Sequence, residues 1–203
     1  MPHAEIVADC TPSLTAVLFG LSGCLVDFGS QARIHTTPAA DTVATPGALN
    51  ILRRLEEQRV PTAWLDELPL HIATPLAAAL PRSVKAASPS PAQWPAPHAC
   101  WQALMDLDIQ HLEGCVLVSG EPRLLQSGLN AGLWTVGLAS CGSLCGLAPA
   151  QWLALSEQER EQKRAKATVA LYGLGVHSVI DHLGELETCL ADISLRQLKG
   201  EKP

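Results

Sequence analysis

Short apolar runs, each ending abruptly in turn residues and each followed by a helix-like segment, constrain this chain more than anything else in it. Ala16–Phe19 is β-branched and aromatic and stops in the Gly/Ser-rich turn of Gly20–Gly23. A buried parallel strand ends in this way when it delivers a residue to a crevice. The same cadence recurs. The pattern predicts strands at Thr15–Phe19, Val60–Leu65, Ser83–Ala87, Cys115–Ser119, Trp134–Leu138 and Ser178–Ile180. Helices are expected from near Pro46, where Leu49, Leu52 and Leu55 recur at three-residue spacing, and at Pro69–Leu80, His98–Leu107, Pro122–Ala131, 149–172 and Leu183–Ile193. Pro75 is an unfavourable interior residue of the second of these. Strands alternating with helices imply an α/β protein, a three-layer α/β/α sandwich around a mostly parallel, Rossmann-like sheet.

With 203 residues the expectation is one domain over 1–203, with an ordered core at 14–193, a short polar linker at 29–45 and a frayed tail at 199–203. A chain of this length buries about 70% of its unfolded surface, so its core needs no metal or disulfide. A net charge of −6 disfavours nucleic acid as a partner. No run reaches the ~18 apolar residues of a membrane span. The acidic N-terminus lacks the basic and apolar regions of a signal peptide. The seven cysteines (Cys10, Cys24, Cys100, Cys115, Cys141, Cys145 and Cys189) are therefore expected as reduced thiols in a cytoplasmic protein.

In parallel sheets, ligands sit beyond the carboxyl ends of the strands. The loops there are Gly20–Phe28, Leu65–Pro69, Ser88–Pro97 and Ser119–Arg123. Several surrounding motifs occur in a fixed order. GLNAGLWTVGLASCGSLCGL (Gly128–Leu147) resembles GxNAGMWTVGV…GSELGL, and AVLFGLSGCLVDFGS (Ala16–Ser30) resembles AVIFDWAGTTVDYGS. PAPHACWQALMDLDI (Pro95–Ile109) is similar to RPxPWM…NAMELGV, and GVHSVIDHLGEL (Gly175–Leu186) to GAHYVIDxxxxL. These are motifs of phosphonoacetaldehyde hydrolase, the phosphonatase branch of the haloacid-dehalogenase superfamily, and the resemblance runs from Thr15 to Ile193.

The resemblance implies a phosphoryl-transfer site in which carboxylates at the first and fourth strand ends hold Mg²⁺ and one of them attacks phosphorus. Carried onto this chain, the nucleophile falls on Gly20, and Ser22 stands two residues further on. The phosphate-binding hydroxyl falls on Leu65 or Asp66, and the cation of the family's GRP motif on Trp94. The metal acids fall on Gly120 and Leu124, with Ser119 and Glu121 beside them. The family also implies a helical cap carrying a Schiff-base lysine. Here 18 residues lie between Asp27 and Pro46, and none is a lysine. The expectation is thus a capless family member without catalytic residues or bound Mg²⁺, a pseudoenzyme retained for binding a protein partner or a second copy through its uncapped crevice face.

The alternative is a hydrolase of phosphate- or phosphonate-type substrates with a relocated acidic site at Asp27, Asp66 and Glu121. Candidate crevice-binding residues are Trp64, Asp66, Trp94, His98 and Glu121, with Glu67 nearby. A tryptophan buries on the order of 200 Å², so Trp64 and Trp94 have the bulk to plug the vacated space. Cys141 and Cys145, four apart, would share one face if they lay on a helix, but nothing adjacent completes a zinc site, and a structural role is expected. His177 and His182 are expected in packing roles.

Overall fold

A computed structural model describes residues 14–35 and 43–203. Six parallel strands form one sheet, in sequence order β1 (Ala16–Gly20), β2 (Thr62–Leu65), β3 (Lys85–Ala86), β4 (Cys115–Ser119), β5 (Trp134–Leu138) and β6 (Ser178–Ile180). Their spatial order is β3-β2-β1-β4-β5-β6, so the winding reverses between β1 and β4. That switch point is where a parallel sheet opens a crevice. Its floor is fixed by register: Gly20 pairs with Leu65 on one side, and Phe19 pairs with Val118 on the other, one residue before Ser119.

Successive side chains of a strand face opposite ways, and β1 divides its residues accordingly. Val17 and Phe19 pack with helices α2 (Ala48–Glu57), α3 (Leu70–Ala77) and α8 (Leu186–Leu198), through Leu52, Leu76 and Ile193 among others. Ala16 and Leu18 pack with α4 (His98–Asp106) and α5 (Pro122–Asn130), through Leu104 and Leu124. The expected α/β/α sandwich is present. The remaining helices are α1 (Gln31–His35), α6 (Pro149–Ala154) and α7 (Glu157–Gly173).

α1 lies within the stretch 29–45 expected as a linker, β2 and α3 are shorter than expected, and three further boundaries depart more widely. The third strand contracts from Ser83–Ala87 to Lys85–Ala86, both exposed at the sheet edge. The helix expected over 149–172 is two helices. They separate at Leu155–Ser156, where the Ser156 side chain accepts from the Glu159 N–H and Glu159 reaches back to the Ser156 backbone. Such a reciprocal cap starts a new helix instead of continuing an old one. The closing helix begins with a single 3-10 turn at Leu183–Glu185 and then runs to Leu198, past Ile193. Glu201 is held back onto Arg196 by an ion pair of 2.8 Å.

Cys141 and Cys145 lie in turns and share no helical face, and the Cys145 thiol donates to the Ala139 carbonyl. The six described cysteines are free and buried. Burial pushes the Cys141 thiol up to about 12 and those of Cys100 and Cys115 to about 11, so these sulfurs stay protonated at neutral pH. Cys10 and Pro38 lie outside the described residues. No helix among the described residues is long and apolar enough to cross a membrane.

Candidate functional site

β1 ends at Gly20, and the hydroxyl of Ser119 at the end of β4 fills the space beside it. A Cβ on Gly20 would stand 2.6 Å from Ser119 Oγ and 3.4 Å from Leu124 Cδ2. The two strand ends have exchanged bulk: where the family motifs have Asp and Gly, this chain has Gly20 and Ser119. Their energies are therefore coupled. Gly20→Ala is expected to cost about 1 kcal/mol more with Ser119 present than in a Ser119→Gly background. Urea denaturation of the four proteins of that cycle measures the difference, and simple additivity would refute the exchange.

The neighbouring position is closed by main chain. A Cβ on Gly120 would lie 2.3 Å from the Gly23 carbonyl oxygen and 2.4 Å from Gly142 Cα. The loops after β1, β4 and β5 thus meet backbone to backbone, and the Ser143 N–H donates to the Gly120 carbonyl. Leu124, onto which the motif resemblance carries the other metal acid, is wholly buried in the apolar layer beneath. Among the described residues, no three of His, Cys, Asp or Glu are grouped so as to hold a metal ion.

Asp66 occupies the crevice itself. One carboxylate oxygen accepts from the Ser22 N–H (3.0 Å), the other from the Leu68 N–H (2.8 Å) and from Arg33 Nη2 (2.7 Å). The Asp66 side chain is 1% exposed and that of Arg33 21%. Burial pushes the Asp66 carboxyl above the ordinary carboxylate range, while Arg33 and the N–H donors pull it back. Arg33 also lies over the Trp94 ring, 5.2 Å from its centroid, within reach of a cation–π attraction. The network continues outward. The Trp94 N–H donates to Glu67, Glu67 pairs with Arg123 at 3.2 Å, and Arg123 donates to the Trp94 carbonyl.

Of the residues expected at the crevice, Asp66 and Trp94 are brought together, and Glu67 joins them. Trp64 aligns with Phe19 in the sheet and packs against the α2/α8 layer, whereas Trp94 packs in the α4/α5 layer. Both residues line a cavity beyond the ends of β2 and β3. His98 is exposed on α4 with its ring 5.9 Å from that of Trp101. Glu121 caps α5, accepting from the Arg123 N–H. Asp27 accepts from the Ser22 hydroxyl at 2.6 Å and the Ala32 N–H, which anchors the turn that holds it at φ 58°. His177 Nδ1 lies 3.0 Å from the Thr135 N–H, which donates to it, and His182 Nδ1 accepts from the Gly184 N–H. The sequence reading missed Arg33 and Arg123. Arg33 carries one signal: it is the sole arginine or lysine between Asp27 and Pro46.

Comparison with known proteins places this geometry. The chain is 37% identical over 109 residues to phosphonoacetaldehyde hydrolase of Klebsiella pneumoniae, covering 54% of this chain and 40% of that protein. It is 30% identical over 164 residues to phosphonoacetaldehyde hydrolase of Bordetella pertussis, covering 78% and 59%. These alignments therefore span between 40% and 59% of the curated relatives' length. A solved structure 64% identical to the chain superposes with a TM-score of 0.92, covering 94% of this chain and all of its own. A phosphonoacetaldehyde hydrolase like protein from Oleispira antarctica, 21% identical, has a TM-score of 0.84 with both chains fully covered, and shares the fold. No protein-family model matches the chain.

Proposed function

Since the chain belongs to the haloacid-dehalogenase superfamily, with phosphonoacetaldehyde hydrolases among its homologues, we propose that it is a non-catalytic member that works by binding. One observation carries this reading: the backbone contact among Gly23, Gly120 and Gly142 leaves no room for a side chain where the family motifs put a metal acid. The residues present do not fit Mg²⁺. Gly20, Gly120 and Leu124 offer no ligand atom on their side chains, and oxygen donors are what that ion requires.

The anion's place is taken too. Asp66 brings its own carboxylate to the Ser22 N–H and to Arg33, so an incoming phosphate would have to displace a buried, charge-assisted pair. The acids of a relocated hydrolytic site are engaged elsewhere: Asp27 in its turn, Asp66 on Arg33, Glu121 at the α5 cap. Among the described residues the connection from Gly20 to Ala48 holds one five-residue helix, too short by itself to exclude water. Association then falls to the loop-bearing rim, with a protein partner or a second copy. Ile34, Leu70 and Leu144 are large apolar side chains exposed there.

The purified protein, given Mg²⁺ with phosphonoacetaldehyde or an aryl phosphate, is expected to release no product above a heat-inactivated control. Mg²⁺ is also expected to leave its melting temperature unchanged. A site for the ion at a hundredfold its Kd would add about 2.7 kcal/mol, roughly 5–10 °C for a domain of this size. Turnover that vanishes in Asp66→Ala would overturn the proposal.

A further inference from the structure

β6 forms one edge of the sheet, and a histidine side chain fastens its start. The His177 N–H donates to the Thr135 carbonyl at 3.1 Å, as a strand backbone would. The ring then turns back to the same residue. Nδ1 accepts from the Thr135 N–H at 3.0 Å and lies 2.9 Å from the hydroxyl of Thr135, a wholly buried residue. The imidazole also packs on Trp134, with ring centroids 4.8 Å apart. From α8, Arg196 donates to the His177 carbonyl at 3.1 Å and covers the Trp134 ring at 4.8 Å. One imidazole thus stands where β5, the start of β6 and the last turn of α8 join. We propose that His177 is an acid-sensitive latch, which on protonation releases the start of β6 and the last turn of α8 from β5.

The hydrogen bonds dictate the resting state. With Nδ1 an acceptor, the neutral ring carries its proton on Nε2. A second proton makes Nδ1 a donor facing the donor of Thr135, and a buried backbone N–H loses its acceptor. The Thr135 hydroxyl does not repair this: by accepting from Nδ1 it still leaves that N–H unmet. The new charge has no partner either. β5 brings no titratable group, and neither does the turn 174–176. α8 brings Arg196, a like charge whose Nε is held by Glu201 at 2.8 Å, and Cys189, whose thiol burial pushes up so that it stays neutral. No acid among the described residues forms an ion pair with His177. Burial and then the Arg196 guanidinium hold the imidazole below its ordinary value. The folded chain therefore binds fewer protons here than the unfolded one. The latch's contribution is complete above the unfolded value of about 6.5 and is lost as pH falls from there through the folded value. The far end of β6 is tied separately. The Ala139 N–H donates to the Ile180 carbonyl, the Ser140 N–H to that of Asp181, and Asp181 pairs with Arg164 at 3.2 Å. Opening is thus confined to one end of the strand.

NMR on the full chain tests this, and the outcome does not depend on whether the crevice is catalytic. At neutral pH the ring nitrogen shifts of His177 should report the Nε2–H tautomer. Amide exchange, corrected for its intrinsic pH dependence, should then be compared at about pH 7.5 and about pH 5. Protection at Thr135, at His177 and at 199–201, whose amides bond within the last turn of α8, is expected to fall about tenfold or more. Val116–Val118 of β4 should keep theirs. His177→Asn, whose amide oxygen accepts without titrating, should flatten the loss. If that variant does not fold, the titration of His177 in the parent decides instead, and a value at or above the ordinary histidine value would refute the latch. The Nδ1–H tautomer at neutral pH, or protection at Thr135 that acid leaves intact, would overturn the proposal. A loss that persists in His177→Asn would overturn it too, and would assign the acid response to another group such as Asp181.

Discussion

Gly120→Asp, the substitution that restores an acid at the family's metal position, is expected to destabilise the protein by about 3 kcal/mol and to bind no Mg²⁺. Overpacking typically costs 1–3 kcal/mol because side chains can yield. Here nothing can yield cheaply. The new Cβ meets the Gly23 carbonyl oxygen at 2.3 Å and Gly142 Cα at 2.4 Å, both of them main chain, and from two different loops. The contact is reciprocal: a Cβ on Gly142 would stand 2.3 Å from the Gly120 oxygen. The carboxylate would also enter a region whose nearest metal-acid counterpart is Leu124, so its charge would go unpaired. Thermal unfolding should show a fall of roughly 6–12 °C. Gly173→Ala is the control, since its Cβ meets nothing within 4 Å and its effect should stay within about 0.5 kcal/mol. A Gly120→Asp protein that melts with the parent would show that the three loops open easily, and the case for a sealed metal position would fail.

Legibility in the sequence followed the range of the interactions involved. Cys115–Ser119, Trp134–Leu138 and Ser178–Ile180 were readable because apolar runs between turn residues are local signals. The third strand was overextended because only Lys85 and Ala86 pair with β2, and an edge strand's length depends on its neighbour and not on its own composition. The break at Ser156 was legible in principle. Ser156 and Glu159 are the reciprocal cap pattern, and the charged run that follows hid it inside one long helical stretch. The vacancies at Gly20, Gly120 and Leu124 came from motif order alone.

What filled those vacancies did not. Arg33 pairs with an acid 33 residues away, and Arg123 with one 56 residues away. The mutual fit of Gly20 and Ser119 exists only once β1 and β4 lie side by side. A departure from a motif is written at one position. The packing that accommodates it is spread over several positions that only the fold brings together.

Arg33→Ala tests the most consequential of those long-range contacts. It removes the partner of a carboxylate that is 1% exposed, and breaking such a pair from one side costs about 3–5 kcal/mol. Because Arg33 itself keeps some contact with water, the lower end, about 3 kcal/mol, is expected near neutral pH, with a fall in melting temperature of roughly 6–12 °C. The pH dependence identifies the cause. Burial already raises the Asp66 carboxyl above its ordinary value, and loss of the guanidinium raises it further. A carboxyl raised in the folded state binds more protons there than in the unfolded chain. Its contribution is therefore most favourable at low pH and is lost as pH rises through the folded value. The deficit of Arg33→Ala should accordingly shrink on acidification from pH 7 toward the carboxylate range and return on going back. Asp66→Asn in the same background should remove most of the pH dependence, since the amide keeps the shape without the charge. A deficit that stays constant across that range would assign the loss to the packing of Arg33 on Trp94, and the idea that an internal carboxylate holds the anion's place would lose its electrostatic basis.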